Sequence, residues 1–157
     1  MSRLRFLAAI IIIVCFAFKP AVGAAAELAD SALHVHVVNA IQNNGADQFA
    51  ITLRVDPGYH INANPATFGY LIPTMLNFVG LEPLRVTYPA SVLFRTKFAS
   101  EEIAVYEGTV VIASRFPKGE LGRVKTLQAT VTVQACTDII CFAPSRLPVS
   151  WNTPSGH

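Results

Sequence analysis

Apolar and polar residues alternate along four stretches of this chain. Leu33, Val35 and Val37 alternate with His34 and His36. Phe49, Ile51, Leu53 and Val55 alternate with Ala50, Thr52 and Arg54, and Leu84, Val86 and Tyr88 with Arg85 and Thr87. The longest stretch is 126–135, where Leu127, Ala129, Val131, Val133 and Ala135 face one way and Thr126, Gln128, Thr130, Thr132 and Gln134 the other. Successive side chains of an extended chain point to opposite faces. Period two, rich in Val, Ile and Thr, therefore predicts strands with one face in a core and one in water. Less regular strands are expected over 71–78, 103–106, 109–116 and 146–151. Turn residues separate them at Asn43-Asn44-Gly45, Asp56-Pro57-Gly58, Glu107-Gly108 and Pro117-Lys118-Gly119-Glu120. No segment carries a helical period. The expected fold is all-β, an immunoglobulin-like β-sandwich of roughly seven to eight antiparallel strands, with an open barrel as the other closure.

The N-terminus reads differently. Arg3 and Arg5 precede an unbroken apolar run from Phe6 to Phe18, which ends at Lys19-Pro20 before the small residues Val22-Gly23-Ala24-Ala25-Ala26. A basic start, an apolar middle and small residues at a cut are the layout of a secretory signal peptide. The run falls short of the roughly 18–20 residues that span a bilayer, although an uncleaved anchor is the alternative. Residues 1–24 are expected to be the signal peptide, cut after Ala24 or Ala26, with 25–157 forming one exported, periplasmic domain. Cys15 lies inside the run, without the small residue that precedes a lipid-modified cysteine, and is expected to leave with it. Loss of Arg3, Arg5 and Lys19 takes the 12 Lys and Arg to nine against 10 Asp and Glu, so the formal charge moves from +2 to −1. No basic patch then remains to suggest nucleic acid or an anionic membrane surface.

Two cysteines remain, Cys136 and Cys141, with Thr137-Asp138-Ile139-Ile140 between them. The strand 126–135 runs into Cys136 and another begins near Arg146, so the connection reads as a hairpin, with Asp138 as its turn former. A hairpin can bring two Cα atoms within the roughly 4.4–6.8 Å that a disulfide needs. One reading is a structural clip. On the chain-entropy model such a small ring stabilises by only about 2 kcal/mol, little for a domain of this size with its own core. The other is a redox-active dithiol, since short, strained or exposed disulfides are the reducible ones. The residues alone leave both open.

The run Val131-Thr132-Val133-Gln134-Ala135-Cys136-Thr137-Asp138-Ile139-Ile140-Cys141-Phe142-Ala143-Pro144 resembles the signature of the N-terminal periplasmic domain of DsbD thiol:disulfide interchange proteins. Gly58-Tyr59-His60-Ile61-Asn62-Ala63-Asn64-Pro65, continuing to Tyr70-Leu71-Ile72-Pro73-Thr74, is similar to single-domain homologues of that family. The resemblance implies an immunoglobulin-like sandwich that exchanges dithiols and disulfides without a cofactor. It implies that Cys141 forms the mixed disulfide, that Cys136 resolves it, and that an aromatic residue on a loop caps the pair. Phe98, in Phe94-Arg95-Thr96-Lys97-Phe98, stands where that cap is expected. Implied partners are periplasmic thioredoxin-like proteins, disulfide isomerases and cytochrome c maturation thioredoxins. This sequence departs from the best-known members in having four residues, not five, between the cysteines, and Phe142-Ala143-Pro144 for a tyrosine and two prolines. The membrane and thioredoxin-like domains are expected on a separate chain, which would supply the electrons.

The rival expectation is a non-catalytic sandwich with a structural disulfide that binds a protein partner or copper. His34 and His36 share a strand face and His60 could join them, but no further ligand stands at a recognised metal spacing, and the expectation is no metal site. Asp138, if close to the thiols, would raise their pKa and slow attack. Tyr59, Tyr88 and Trp151 are expected in the core. No Ser-His-Asp order, phosphate loop or paired carboxylate supports a hydrolase or a nucleotide site.

Overall fold

The computed structural model describes residues 30–43 and 47–152, so the expected signal peptide lies outside the described residues. The described strands are β1 (Val35–Asn43), β2 (Gln48–Val55), β3 (His60–Asn62), β4 (Met75–Phe78), β5 (Arg85–Thr87), β6 (Val92–Phe94), β7 (Ile103–Tyr106), β8 (Thr109–Arg115), β9 (Thr126–Val133), β10 (Ala135–Cys136) and β11 (Ser145–Asn152). Every pairing between them is antiparallel. One layer has the order β1-β2-β8-β5, the other β11-β9-β4, and a further sheet, β10-β3-β7-β6, extends the second layer. The fold is the expected immunoglobulin-like sandwich.

The alternation read at 49–55 and 126–133 builds the main core together with two strands expected as less regular, β8 and β11. Phe49, Ile51 and Leu53 of β2 and Val110 and Ile112 of β8 face Leu127, Val131 and Val133 of β9 and Leu147 and Val149 of β11. Tyr59, Tyr88 and Trp151 pack against this core, half-buried, as expected.

Three strand expectations need correction. The first strand begins at Val35: Leu33 ends a single 3-10 turn, Ser31–Leu33, and is 61% exposed. Residues 71–74 stay outside β4, which starts at Met75. The stretch 126–135 is not one strand: β9 ends at Val133, and Ala135–Cys136 pairs instead with β3. The strand count exceeds the expectation because β3, β6 and β10 are two or three residues long. All three residues of β3 and both of β10 are buried, so neither shows a polar face.

β7 is buried on both sides. Tyr106 and Ala104 belong to the main core, while Ile103 and Val105 build a second, smaller one with Leu71. Ala66, Phe68, Phe94, Phe98, Ala99 and Cys141 pack around that second core.

Candidate redox site

The site is built by two crossings of the chain. The first starts at Asp56-Pro57-Gly58-Tyr59, where Tyr59 N donates to Asp56 O (3.1 Å) and Gly58 adopts φ +85°. Proline at the second position and a positive φ at the third make this a type II turn, and glycine is the residue that meets that φ without strain. The turn launches β3. Beyond it, polar side chains fasten the 62–74 segment: Thr74 Oγ1 donates to Asn62 O (2.7 Å) and Asn64 Nδ2 to Thr74 O (2.8 Å). Leu71 thereby joins the second core.

The second crossing is the switch of sheets at Gln134. Its Oε1 accepts from Asn62 Nδ2 and from Ile72 N, each at 3.0 Å, and its Nε2 donates to Phe142 O at 3.3 Å. One amide side chain thus ties together the three segments that surround the cysteines and serves backbone groups that a broken ladder would orphan. At the hairpin base Ser31 Oγ accepts from Ala135 N (2.9 Å) and donates to Ala143 O (2.6 Å).

Cys136 and Cys141 form an antiparallel bridge and a disulfide, with S–S 2.06 Å and Cα atoms 4.0 Å apart, closer than the expected range. The turn between them closes through Thr137 N to Ile140 O (2.8 Å). Thr137 Oγ1 accepts from Ile139 N and Ile140 N, each at 3.2 Å. Thr137, not Asp138, is therefore the turn former. Asp138 faces the expected cap segment: its carbonyl accepts from Lys97 N (2.6 Å) and its carboxylate meets Lys97 Nζ at 2.9 Å.

The two sulfurs are not equivalent in access. Cys136 is 0% exposed, whereas Cys141 is half-buried and opens onto a depression of about 310 Å³ lined by Tyr70, Leu71, Phe98, Gln134, Ile139 and Ile140. Ile139, Ile140 and Tyr70 are more than half exposed, which leaves an apolar rim beside the sulfur. Phe98 lines the same depression, half-buried in the second core rather than exposed on a free loop.

His60 lies across the β3–β10 ladder from Cys136. It is buried, its ring lies 4.4 Å from that of Phe94, and its Nε2 has no hydrogen-bond partner. Burial pushes its pKa down from 6.5 to about 4, with the Asp138 carboxylate acting weakly the other way. The imidazole is neutral at pH 7. His34 and His36 lie elsewhere. His36 Nε2 is 3.3 Å from Asp56 Oδ1, and His34 stacks on Tyr59 with centroids 3.7 Å apart. Among the described residues no three His, Cys, Asp or Glu side chains gather as a metal site. The sequence offered His60 as a metal ligand and, like Gln134, as part of a family motif; it set Gln134 on a wet face and pointed to no role for Ser31. The local signal for their part in the site is the sheet switch, which breaks the period-two rule at Ala135–Cys136.

A sandwich that presents a bonded cysteine pair on a short hairpin, one sulfur buried and one open to an apolar depression, has the makings of a thiol–disulfide interchange domain. The family model described as "Thiol:disulfide interchange protein DsbD, N-terminal" matches residues 29–150, and the chain belongs to that family. No curated protein matches the chain in sequence. Among solved structures it is similar to the reduced N-terminal domain of DsbD from Neisseria meningitidis, with TM-score 0.53 and 13% identity over 76% of this chain and 83% of that one. It is also similar to the N-terminal periplasmic domain of ScsB from Proteus mirabilis, with TM-score 0.51 and 14% identity over 74% of this chain and 46% of that one. A third similar structure is of a complex between the DsbD and PilB N-terminal domains of Neisseria meningitidis, with TM-score 0.50 and 13% identity over 71% of this chain and 77% of that one. At these identities the structural likeness speaks for the fold. In the described residues no helix is long and apolar enough to cross a membrane.

Proposed function

We propose that this domain is a periplasmic electron relay that works by thiol–disulfide exchange through Cys136 and Cys141. The observation that carries the reading is the unequal access of the two sulfurs, with Cys136 enclosed and Cys141 at the edge of an apolar depression. A partner sulfur can reach only the open one. In the reduced protein the Cys141 thiolate attacks a partner disulfide, and one partner sulfur leaves as a thiolate. Cys136 then attacks Cys141 Sγ, the Cys136–Cys141 bond forms and the second partner sulfur leaves. Two electrons pass from the domain to the partner. Reloading runs the same steps in reverse from a reduced donor.

Phe98 is the cap in this proposal. It lies beside Cys141 on a segment bound to the disulfide turn through Lys97 and Asp138, so it can cover the sulfur from small oxidants and move when a protein docks. The apolar rim of Tyr70, Ile139 and Ile140 is the ground for that docking. The acceptors are thioredoxin-like or disulfide isomerase proteins of the periplasm, with cytochrome c maturation thioredoxins among them. The donor is a membrane protein or its thioredoxin-like domain on a separate chain. The complex of a DsbD N-terminal domain with a PilB N-terminal domain supports a protein partner. Residues 1–24 serve as the export signal.

Trapping tests the reading. A Cys136→Ser protein, exposed to periplasmic extract, accumulates mixed disulfides through Cys141, whereas Cys141→Ser gives few. Equal or stronger trapping by Cys141→Ser reverses the two roles. Trapping by neither variant favours a purely structural disulfide.

A further inference from the structure

Three side chains stand in one row across the end of the extended sheet. Cys136 is the register partner of His60 on one side and of Cys141 on the other. Directly opposed residues of an antiparallel pair project to the same face, with Cβ atoms about 4.5–5.5 Å apart. The register thus sets the His60 and Cys136 side chains next to one another on one face, with Cys141 on the other side of Cys136.

The state of that imidazole calls for an explanation. It is 1% exposed, and its Nε2 is buried with no partner. Leaving a buried polar atom unsatisfied costs about 1–3 kcal/mol. The elements around it offer few charges. β6 presents Phe94, and β7 pairs through Val105 and Tyr106, the latter's hydroxyl engaged with Asn64 N at 3.1 Å. The remaining titratable groups nearby are the two cysteines and Asp138, itself paired with Lys97. With the disulfide closed, neither sulfur can donate. With it open, Cys136 carries an S–H that has two acceptors to choose from: Gln134 O, 3.9 Å from the sulfur, and the unfilled ring nitrogen of its register partner.

We propose that His60 is the proton acceptor for Cys136, holding its thiol by a hydrogen bond in the reduced protein and taking its proton as Cys136 resolves the mixed disulfide on Cys141. This rests on the division of labour proposed above. The step balances. The Cys136 S–H bond breaks and the proton passes to the imidazole. The Cys136–Cys141 bond forms, and the bond from Cys141 to the partner sulfur breaks. The partner thiolate leaves with the electron pair and receives the proton from the imidazolium through water. Until that step the neutral ring leaves the proton on sulfur, so the buried thiol stays unreactive in an oxidising compartment.

The test uses a small disulfide, 5,5′-dithiobis(2-nitrobenzoate), and needs no protein partner. Reduced protein releases one coloured thiolate when Cys141 attacks and a second when Cys136 closes the ring. In His60→Leu the first release is expected to keep its rate within about twofold. The second is expected to fall several-fold at pH 7, less than a base poised near pH 7 would supply, because burial keeps this ring a weak base. The deficit should shrink as the pH approaches the ordinary thiol range, about 8.5, where the thiolate forms unaided. A second release that is unchanged, or slowed equally at every pH, overturns the proposal. Should His60→Leu misfold, the wild-type ring reports directly: reduction should move the nitrogen-15 shift of His60 Nε2 toward that of a hydrogen-bonded acceptor, and an unmoved shift overturns the proposal. A protein that passes these tests yet traps no partner sinks the relay and leaves this role standing.

Discussion

Lys97 is bound to Asp138 twice, by a main-chain hydrogen bond of 2.6 Å to the carbonyl and by its ammonium at 2.9 Å from the carboxylate. This double contact joins the segment that carries Phe98 to the turn that carries the disulfide. The Lys97 side chain is 72% exposed and that of Asp138 46%, so the ion pair itself adds little stability. Its expected effect is on the thiols of the reduced pair, since Asp138 lies on the turn between the two cysteines. Asp138→Asn removes a negative charge beside the thiols and should speed attack by the reduced protein on a small disulfide. Lys97→Ala leaves that carboxylate uncompensated and should slow it. Each change should be within about threefold and shrink at high salt. Stopped-flow thiol assays at two ionic strengths check the opposite signs. Shifts in the same direction would show that the charge of the pair does not act on the sulfur.

Phe98→Ala should expose Cys141. The reduced pair is expected to react several-fold faster with a small disulfide reagent. The side chain is half-buried in the second core, so truncation should also cost about 1–2 kcal/mol, less than a fully buried phenylalanine would. Phe98→Leu, which keeps bulk over the sulfur, should recover most of both. Denaturant melts and thiol kinetics on the two variants separate cover from core. Lost stability with unchanged reactivity would remove the cap from the account.

Folding stability should depend on pH through His60. The unfolded chain takes up this proton near 6.5 and the folded domain near 4. Between those values the unfolded state binds more protons, so stability is full above about 6.5 and is lost as the pH falls toward 4. The shift corresponds to at most about 3 kcal/mol. Urea unfolding of wild type and His60→Gln at pH 7 and about pH 4.5 checks it, since the carboxylates common to both cancel in the comparison. Wild type should lose more by about 2–3 kcal/mol. Parallel losses would mean that His60 titrates alike in both states.

How much of this was legible beforehand follows from burial geometry. β2, β8, β9 and β11 each pack one face on the main core; alternation in the sequence revealed β2 and β9, while β8 and β11 were expected as less regular strands. β3 has no wet face, so His60, Ile61 and Asn62 gave no period to read. The cysteine pair was visible from its spacing and its place after a strong strand. Its depth was not, because Gln134 moves the chain to another sheet and buries Ala135 and Cys136 in succession. The turn former was misassigned to Asp138 because either side chain suits a turn. Only the hydrogen bonds of Thr137 Oγ1 decide between them. The meeting of His60 with Cys136 joins residues far apart in the chain, and no local pattern encodes it.

The most direct test of the central claim is whether the Cys136–Cys141 bond opens reversibly while the sandwich stays folded. The purified domain would be incubated with a reduced thioredoxin-like protein, the free thiols trapped at intervals, and the near-ultraviolet circular dichroism followed in the same samples. The account predicts that both thiols become trappable, that the native signal persists, and that an oxidised partner closes the bond again. A bond that stays closed until denaturant unfolds the domain would contradict it and leave a structural clip.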